Sequence, residues 1–348
     1  MGAWSPLSFM GKDVAVDLGS SRTQIYVRGQ GVVVDEPSAV ARCRRTGRII
    51  ATGAAALEAD TPEWPLTRGT VTDFDGGTRL LAGLLRTAHG HGFARPRLVL
   101  AAPSHLGAVQ AGTLKRLAQE AGARSVRLLD QPLAAALGAG LPVAEPYGHL
   151  VVDLRADTTE AAMISLGEVL VVEAIGVGVA DFDRAIADRV RRSHGVLISL
   201  AEAARLRRAL GAAGPSGGRC ARAVGRRKGG EGGWSVPVSA RQVHEAMERP
   251  LRSVLGAVRR VFDRISPELT VDVGAHGMVL TGGGTVARWV ARRLRAEFGV
   301  PVLAAGEPGR SVVLGLGRYV ETSGSLQAAG SPALGRPRLR REGRPLLA

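Results

Sequence analysis

Residues Asp13–Val27, DVAVDLGSSRTQIYV, and their echo at His149–Met163, HLVVDLRADTTEAAM, decide how this chain is read. In each copy an apolar, β-branched run leads into Asp-Leu, a turn of small or polar residues follows, a Thr stands six positions after the Asp, and a second strand-like run begins. Such a pattern predicts a β-hairpin whose turn presents backbone N–H groups to an anion. An Asp closing the first strand would then lie beside that anion, where a hydrated Mg²⁺ is wanted. Asp17 corresponds to Asp153 and Thr23 to Thr159, which predicts a duplicated domain with a nucleotide cleft between its halves. Two buried hairpins sharing a short pattern by chance is the competing reading.

A chain of 348 residues exceeds what one hydrophobic core usually organises, about 250–300 residues. With 45% hydrophobic and 22% charged residues, the composition is that of a water-soluble globular protein. Basic residues outnumber acidic ones 46 to 31, for a formal charge of +15, but the only lysines are Lys12, Lys115 and Lys228. An Arg bias of this kind, alongside abundant Ala and Gly, fits a GC-rich genome as well as it fits an anionic partner. Few aromatics and no nucleic-acid motif argue against base recognition. Cys43 and Cys220 lack metal-ligand spacing and suit a reducing cytoplasm. Neither a secretory leader nor an apolar run long enough to span a bilayer is expected.

Outward from the first hairpin, Met1–Met10 carries Trp4, Leu7, Phe9 and Met10 in a chain with only 4% aromatic residues, which is the composition of an interfacial membrane anchor. The same residues could equally tuck into a core. Phe93, in the loop HGHGFARP, reads as a second exposed apolar tip. Residues 76–89 have helical period, Arg97–Ala102 reads as a strand, and Ser104 is placed to cap the following helix. In SVRLLDQPLAAALGAG a strand passes through Asp130, Gln131 and Pro132 into a small-residue helix suited to close packing, a hinge between halves. Gln131 would face the space between the hairpins, or serve only as a capping amide. Residues 211–233 read as a flexible or weakly paired hairpin region, and Ser239 with Gln242 forms a capping box ahead of a long helix with a kink at Pro250. Further on, GMVLTGGGTVARWVARRLRAEF predicts a strand, the turn Gly282-Gly283-Gly284, and an amphipathic helix, where a ligand can approach backbone at a positive helix end. Tight packing explains such a turn too. Residues 323–348 read as a disordered basic tail.

This order of motifs resembles the actin, sugar-kinase and DnaK-type chaperone superfamily. GQGVVVDEPSAVA, ARPRLVLAAPS, QPLAAALGAGLPVAEP, GMVLTGGG and VVLGLGRYVE resemble, more narrowly, the MreB/Mbl family of bacterial actin homologues over about residues 11–321. The resemblance implies an α/β, duplicated ribonuclease-H-type fold: two lobes, four subdomains, around an ATP cleft. The expected boundaries are a membrane arm at 1–12, a first lobe at 13–140 and 306–322 with a small subdomain near 30–72, and a second lobe at 141–305 with a small subdomain near 180–240. It implies ATP and Mg²⁺ as cofactors, with Gly19, Ser20, Ser21, Arg22, Thr23, Thr159 and Gly282–Gly284 around the nucleotide. Asp17 and Asp153 would hold Mg²⁺ through water, and Gln131, Asp153 and Thr158 would serve hydrolysis. Implied partners are further copies of the chain or another MreB-type protein, anionic lipids of the inner membrane and the wall-synthesis machinery. The implied location is cytoplasmic, against the inner face of the membrane, with a role in cell shape.

Departures from the family pattern qualify this. D-L-G-T-A-N-T becomes Asp17-Leu18-Gly19-Ser20-Ser21-Arg22-Thr23, while D-I-G-G-G-T-T-E becomes Asp153-Leu154-Arg155-Ala156-Asp157-Thr158-Thr159-Glu160, without its three glycines. A side chain forced into left-handed backbone would cost about 1–2 kcal/mol. Asp157 is expected to bring negative charge to the phosphate position, partly offset by Arg155 and Arg22. Gln131 replaces a Glu, and Gln orients water but is a poor base. Ala203-Ala204-Arg205 removes a ribose-binding Glu. The expectation is weakened ATP binding and at most a weak ATPase, the alternative being a nucleotide-independent scaffold or a cap on another filament. A sugar-kinase-like enzyme would need a base-bearing substrate pocket and an intact second loop, and neither is evident.

Overall fold

The computed structural model describes residues 13–89, 95–211, 218–227, 233–282 and 287–326. Trp4, Leu7, Phe9, Met10, Phe93, Gly283 and Gly284 lie outside them.

The first half opens with β1 (Asp13–Leu18), β2 (Arg22–Val27) and β3 (Gly31–Pro37). Two short antiparallel pairs follow, β4 (Val40–Arg42) with β5 (Ile49–Thr52) and β6 (Leu66–Thr67) with β7 (Thr70–Val71). Then come α1 (Phe74–His89), β8 (Arg97–Ala102), α2 (Ala108–Glu120), β9 (Ser125–Asp130) and α3 (Gln131–Ala139). The second half repeats the opening with β10 (His149–Leu154), β11 (Thr159–Ser165) and β12 (Glu168–Ile175). It continues through α4 (Val179–His194), β13 (Val196–Leu197), α5 (Leu200–Leu210), β14 (Cys220–Arg227), β15 (Gly233–Ser239), α6 (Ala240–Phe262) and α7 (Pro267–His276). It closes with β16 (Met278–Gly282), α8 (Ala287–Phe298), β17 (Val302–Ala304) and α9 (Ser311–Leu326).

The duplication is visible in the hydrogen-bond ladders. One sheet runs β3-β2-β1-β8-β9 and the other β12-β11-β10-β16-β17. In each, the first three strands are antiparallel and the last two join in parallel. Register matches as well: Asp17 lies opposite Gln24 and Leu18 opposite Thr23, as Asp153 lies opposite Glu160 and Leu154 opposite Thr159. β10 and β11 are buried at every position, as strands covered on both faces must be, which explains their near-continuous apolar sequence.

Between the halves, α3 crosses α9. A Cβ at Gly138 would strike the Ser311 carbonyl, and one at Gly315 would strike the carbonyl of Ala134. The small residues that suggested a hinge helix therefore let two backbones touch.

Several local expectations are corrected. Ser104 does not cap α2: Gly107 occupies the N-cap, and Ser104 is drawn instead to a buried carboxylate described below. Residues 323–326 complete the last turn of α9 instead of beginning a tail. Within 211–233 the described residues of β14 pair in register with β15, from Cys220–Ser239 to Arg226–Gly233, while 212–217 and 228–232 lie outside the described residues. Pro250, where a kink is expected, lies buried inside α6. The capping box of Ser239 and Gln242 forms as expected. Among the described residues, no helix is long and apolar enough to cross a membrane.

Candidate functional site

The two hairpin turns face each other across a cleft of about 430 Å³, lined among others by Asp17, Ser21, Arg22, Asp153, Arg155 and Gly282. A cavity of that size falls within the range of small-ligand sites, about 300–1,000 Å³. Arg207 and Arg208 from α5 line it too, so four arginines face two aspartates. Guanidinium forks on a cleft wall suit a phosphate-bearing ligand.

The first turn is tightly built. The Gly19 N–H bonds the Arg22 carbonyl at 3.0 Å, while the Ser38 hydroxyl donates to the Gly19 carbonyl at 2.6 Å and lies 2.8 Å from the Thr23 hydroxyl. Thr23 is thus a buried brace under the loop. Ser20 points across the cleft wall, accepting a bond from the Gly69 N–H at 3.0 Å. Arg22 is held by Asp35, with Nε 2.7 Å from the carboxylate and Nη2 2.6 Å from the backbone carbonyl.

The second turn keeps its shape without glycine. Arg155 N–H bonds the Thr158 carbonyl at 2.8 Å, and the first N–H groups of α4, from Val179 and Ala180, bond the carbonyls of Arg155 and Ala156 at 2.8 and 2.7 Å. Among described non-glycine residues only Arg68 and Leu166 have positive φ, both 51°, so Arg155, Ala156 and Asp157 carry none of the expected left-handed strain. Asp157 is not turned toward the phosphate position: its carboxylate accepts the Arg68 N–H at 2.5 Å and ties the second turn to the β6–β7 hairpin. The Thr159 hydroxyl donates to the Val177 carbonyl at 2.6 Å, and Thr158 is buried.

Arg155, expected to offset the charge of Asp157, engages the first hairpin instead. Its guanidinium spans the cleft and grips Asp17 with both ends, Nη1 to Oδ2 at 3.0 Å and Nη2 to Oδ1 at 2.7 Å. Gly19 makes room for it, since a Cβ there would lie 2.6 Å from Nη2. Burial works against the charged guanidinium, but Asp17 and Asp153 beside it prevail and push its pKa upward. Asp153 is 1% exposed; its Oδ1 accepts the Thr281 hydroxyl at 2.7 Å and its Oδ2 the Gln131 amide at 3.2 Å. Burial lifts its pKa to about 6, against the opposing pull of Arg155 and Thr281. Gln131 is thereby a buried partner of Asp153 at the start of α3.

The expected Mg²⁺ does not fit these donors. Magnesium takes near-octahedral oxygen ligands and retains several waters. Both Asp17 oxygens already face a guanidinium and both Asp153 oxygens face protein donors. No group of three or more His, Cys, Asp or Glu side chains among the described residues is arranged to hold a metal ion.

Beneath the cleft lies a cluster with no sequence signal beyond the final Glu of the second motif. Glu160, wholly buried on β11, accepts the Ser104 N–H at 2.9 Å and the Ser104 hydroxyl at 3.2 Å, with His105 Nδ1 3.6 Å away. The bond to Glu160 raises the His105 pKa, and burial with Glu160 nearby raises that of Asp130. Beside the cleft Arg207 pairs with Asp183 at 2.7 Å, both nearly buried.

The family model described as MreB/Mbl protein matches residues 11–328. The chain is 37% identical over 326 residues to the cell shape-determining protein MreB of Escherichia coli K12, covering 89% of this chain and 93% of that one. Among solved structures, MreB5 of Spiroplasma citri bound to ADP superposes with a TM-score of 0.86 at 26% identity, over 92% of this chain and 99% of that one. The MamK double helical filament superposes with a TM-score of 0.74 at 18% identity, over 89% and 98%, a likeness of fold.

Proposed function

Because this chain belongs to the MreB/Mbl family, we propose that it is an actin-like cytoskeletal protein that assembles into filaments beneath the cell membrane and takes part in cell shape, binding a nucleotide loosely. The observation that carries the nucleotide reading is the Arg-lined cleft between two hairpins in matching register. It corresponds in fold to the MreB5 structures, described as bound to ADP and to AMPPNP. Loose binding follows from Arg155, which is already engaged with Asp17 and reduces the space between the turns. Any turnover is slow, since Gln131 is committed to Asp153 and amides are poor bases.

Calorimetric titration with ATP and ADP, paired with electron microscopy of the protein with and without nucleotide, tests both parts. Millimolar affinity with filaments supports the reading; low-micromolar affinity would remove the claim of weakened binding. With Mg²⁺ present, replacing residues 155–157 by Gly should tighten it. Filaments that form equally well without nucleotide would favour the second reading, a nucleotide-independent scaffold or a cap on another MreB-type filament. The closed Arg155–Asp17 pair is the observation in its favour.

Membrane attachment is assigned to Trp4, Leu7, Phe9, Met10 and Phe93. Full burial of each large apolar side chain contributes about 1.5–3 kcal/mol, so several acting together give reversible binding that filament avidity multiplies. Binding to anionic vesicles should fall sharply when Trp4, Phe9 and Phe93 become Ser. Binding that survives the change but vanishes in high salt would assign attachment to the arginines instead.

A further inference from the structure

The Arg155 side chain leaves its own lobe at the centre of the cleft and terminates on the other lobe's hairpin. Its partner there is Asp17, the carboxylate expected from the sequence to meet a hydrated divalent cation, and the fork engages both of its oxygens. Asp17 is 6% exposed and the Arg155 side chain 18% exposed, so this is an enclosed contact in which charges are poorly screened. The glycine beside Asp17 is the residue that admits the guanidinium. A divalent ion entering here would have to break a bidentate pair and lie against a permanent positive charge.

Arginine can do chemically what that ion would do. Its planar fork fits phosphate as well as carboxylate, it stays charged at any working pH, and only two of its five N–H donors are used on Asp17. Of the other arginines on the cleft wall, Arg22 is tied to Asp35 and Arg207 to Asp183.

We propose that Arg155 is a built-in counter-cation for this cleft: it takes the place of a divalent metal ion between the two hairpins, so that a polyphosphate nucleotide is recognised metal-free, as the bare anion. This rests on the nucleotide reading above. It reverses the role of Asp17, which holds the guanidinium instead of a hydrated metal, and it predicts an opposite sign for substitutions there.

The experiment is a calorimetric titration of the full chain with ATP, in excess Mg²⁺ and separately in EDTA, for the parent and for Arg155→Gly, Arg155→Lys and Asp17→Asn. Circular dichroism and thermal melting check that each variant is folded. The parent should show dissociation constants within about twofold in the two buffers, and Arg155→Gly should become dependent on Mg²⁺ by about tenfold or more. Arg155→Lys, which keeps a cation without the fork, should bind more weakly yet still without metal. Asp17→Asn frees the guanidinium and should tighten binding in EDTA, and this arm stands even if Arg155→Gly does not fold. Parent binding that strengthens about tenfold with Mg²⁺, or Asp17→Asn abolishing it, would overturn the proposal. Binding that appears only after Arg155→Gly would overturn it as well, making Arg155 a plug. No ATP binding by any variant in either buffer would remove the nucleotide reading itself, and this inference with it.

Discussion

The Glu160 carboxylate of the second lobe, wholly buried, accepts both the backbone N–H and the hydroxyl of Ser104 in the first lobe, at 2.9 and 3.2 Å. Removing the acceptor leaves two part-buried donors without it, and hydrogen bonds to charged groups contribute about 1.5–3 kcal/mol. Glu160→Ala should therefore lose about 2–3 kcal/mol in urea unfolding, and Glu160→Gln, which keeps one acceptor oxygen, about half of that. An unchanged urea midpoint for the alanine variant would mean that this contact does not join the lobes.

His105 takes part in the same cluster and supplies a pH dependence. Its bond to Glu160 raises its pKa above the unfolded value near 6.5, and its Nε2 lies 2.9 Å from the Arg68 carbonyl. A raised pKa means the folded state holds the proton more tightly. The resulting stability is complete below the unfolded pKa and is lost as pH rises through the folded one. Unfolding free energy should thus decline from slightly acidic to mildly alkaline pH, and His105→Gln should flatten that slope. A slope that the substitution leaves in place would assign it to another group.

Asp153 acts in the same direction at lower pH. Burial raises its pKa to about 6, so its ionisation is less favourable in the folded chain than in the unfolded one. Stability should fall as pH rises from about 4 to about 6, opposite to the behaviour of a salt-bridged carboxylate. Asp153→Asn stays neutral and can keep a bond to Thr281. It should gain about 1–3 kcal/mol over the parent at pH 7 and nothing at pH 4. Equal differences at the two pH values would show that Asp153 is ionised throughout.

The fold was legible because its signal is local and repeated. Alternating apolar runs ending in Asp17 and Asp153, each with a Thr six residues on, define two hairpins, and the register shows them to be equivalent. What stayed hidden is where long side chains end once the lobes meet. Arg155 and Asp157 are adjacent but one in sequence, yet one crosses to Asp17 and the other to the Arg68 N–H. Ser104 carried a local capping signal that a buried carboxylate 56 residues away overrode. In each case a tertiary contact outweighed a local preference.

The crossing of α3 and α9 gives the sharpest packing test. Helices usually lie about 8–10 Å apart, and small residues at the crossing allow a closer approach. At Gly315 a methyl group would be driven into the carbonyl of Ala134, and backbone cannot swing aside as a flexible side chain can. Gly315→Ala should therefore destabilise the protein by about 1–3 kcal/mol, despite alanine's better helix propensity. Gly274, inside α7, is the control: it has open space where a Cβ would go, and its φ is not positive. There the same change should stabilise by about 0.5–1 kcal/mol, since only the propensity term remains. Thermal melting of the two variants beside the parent gives the comparison. Opposite shifts place the constraint at the crossing, whereas a gain at both positions would mean that α3 and α9 can part without cost.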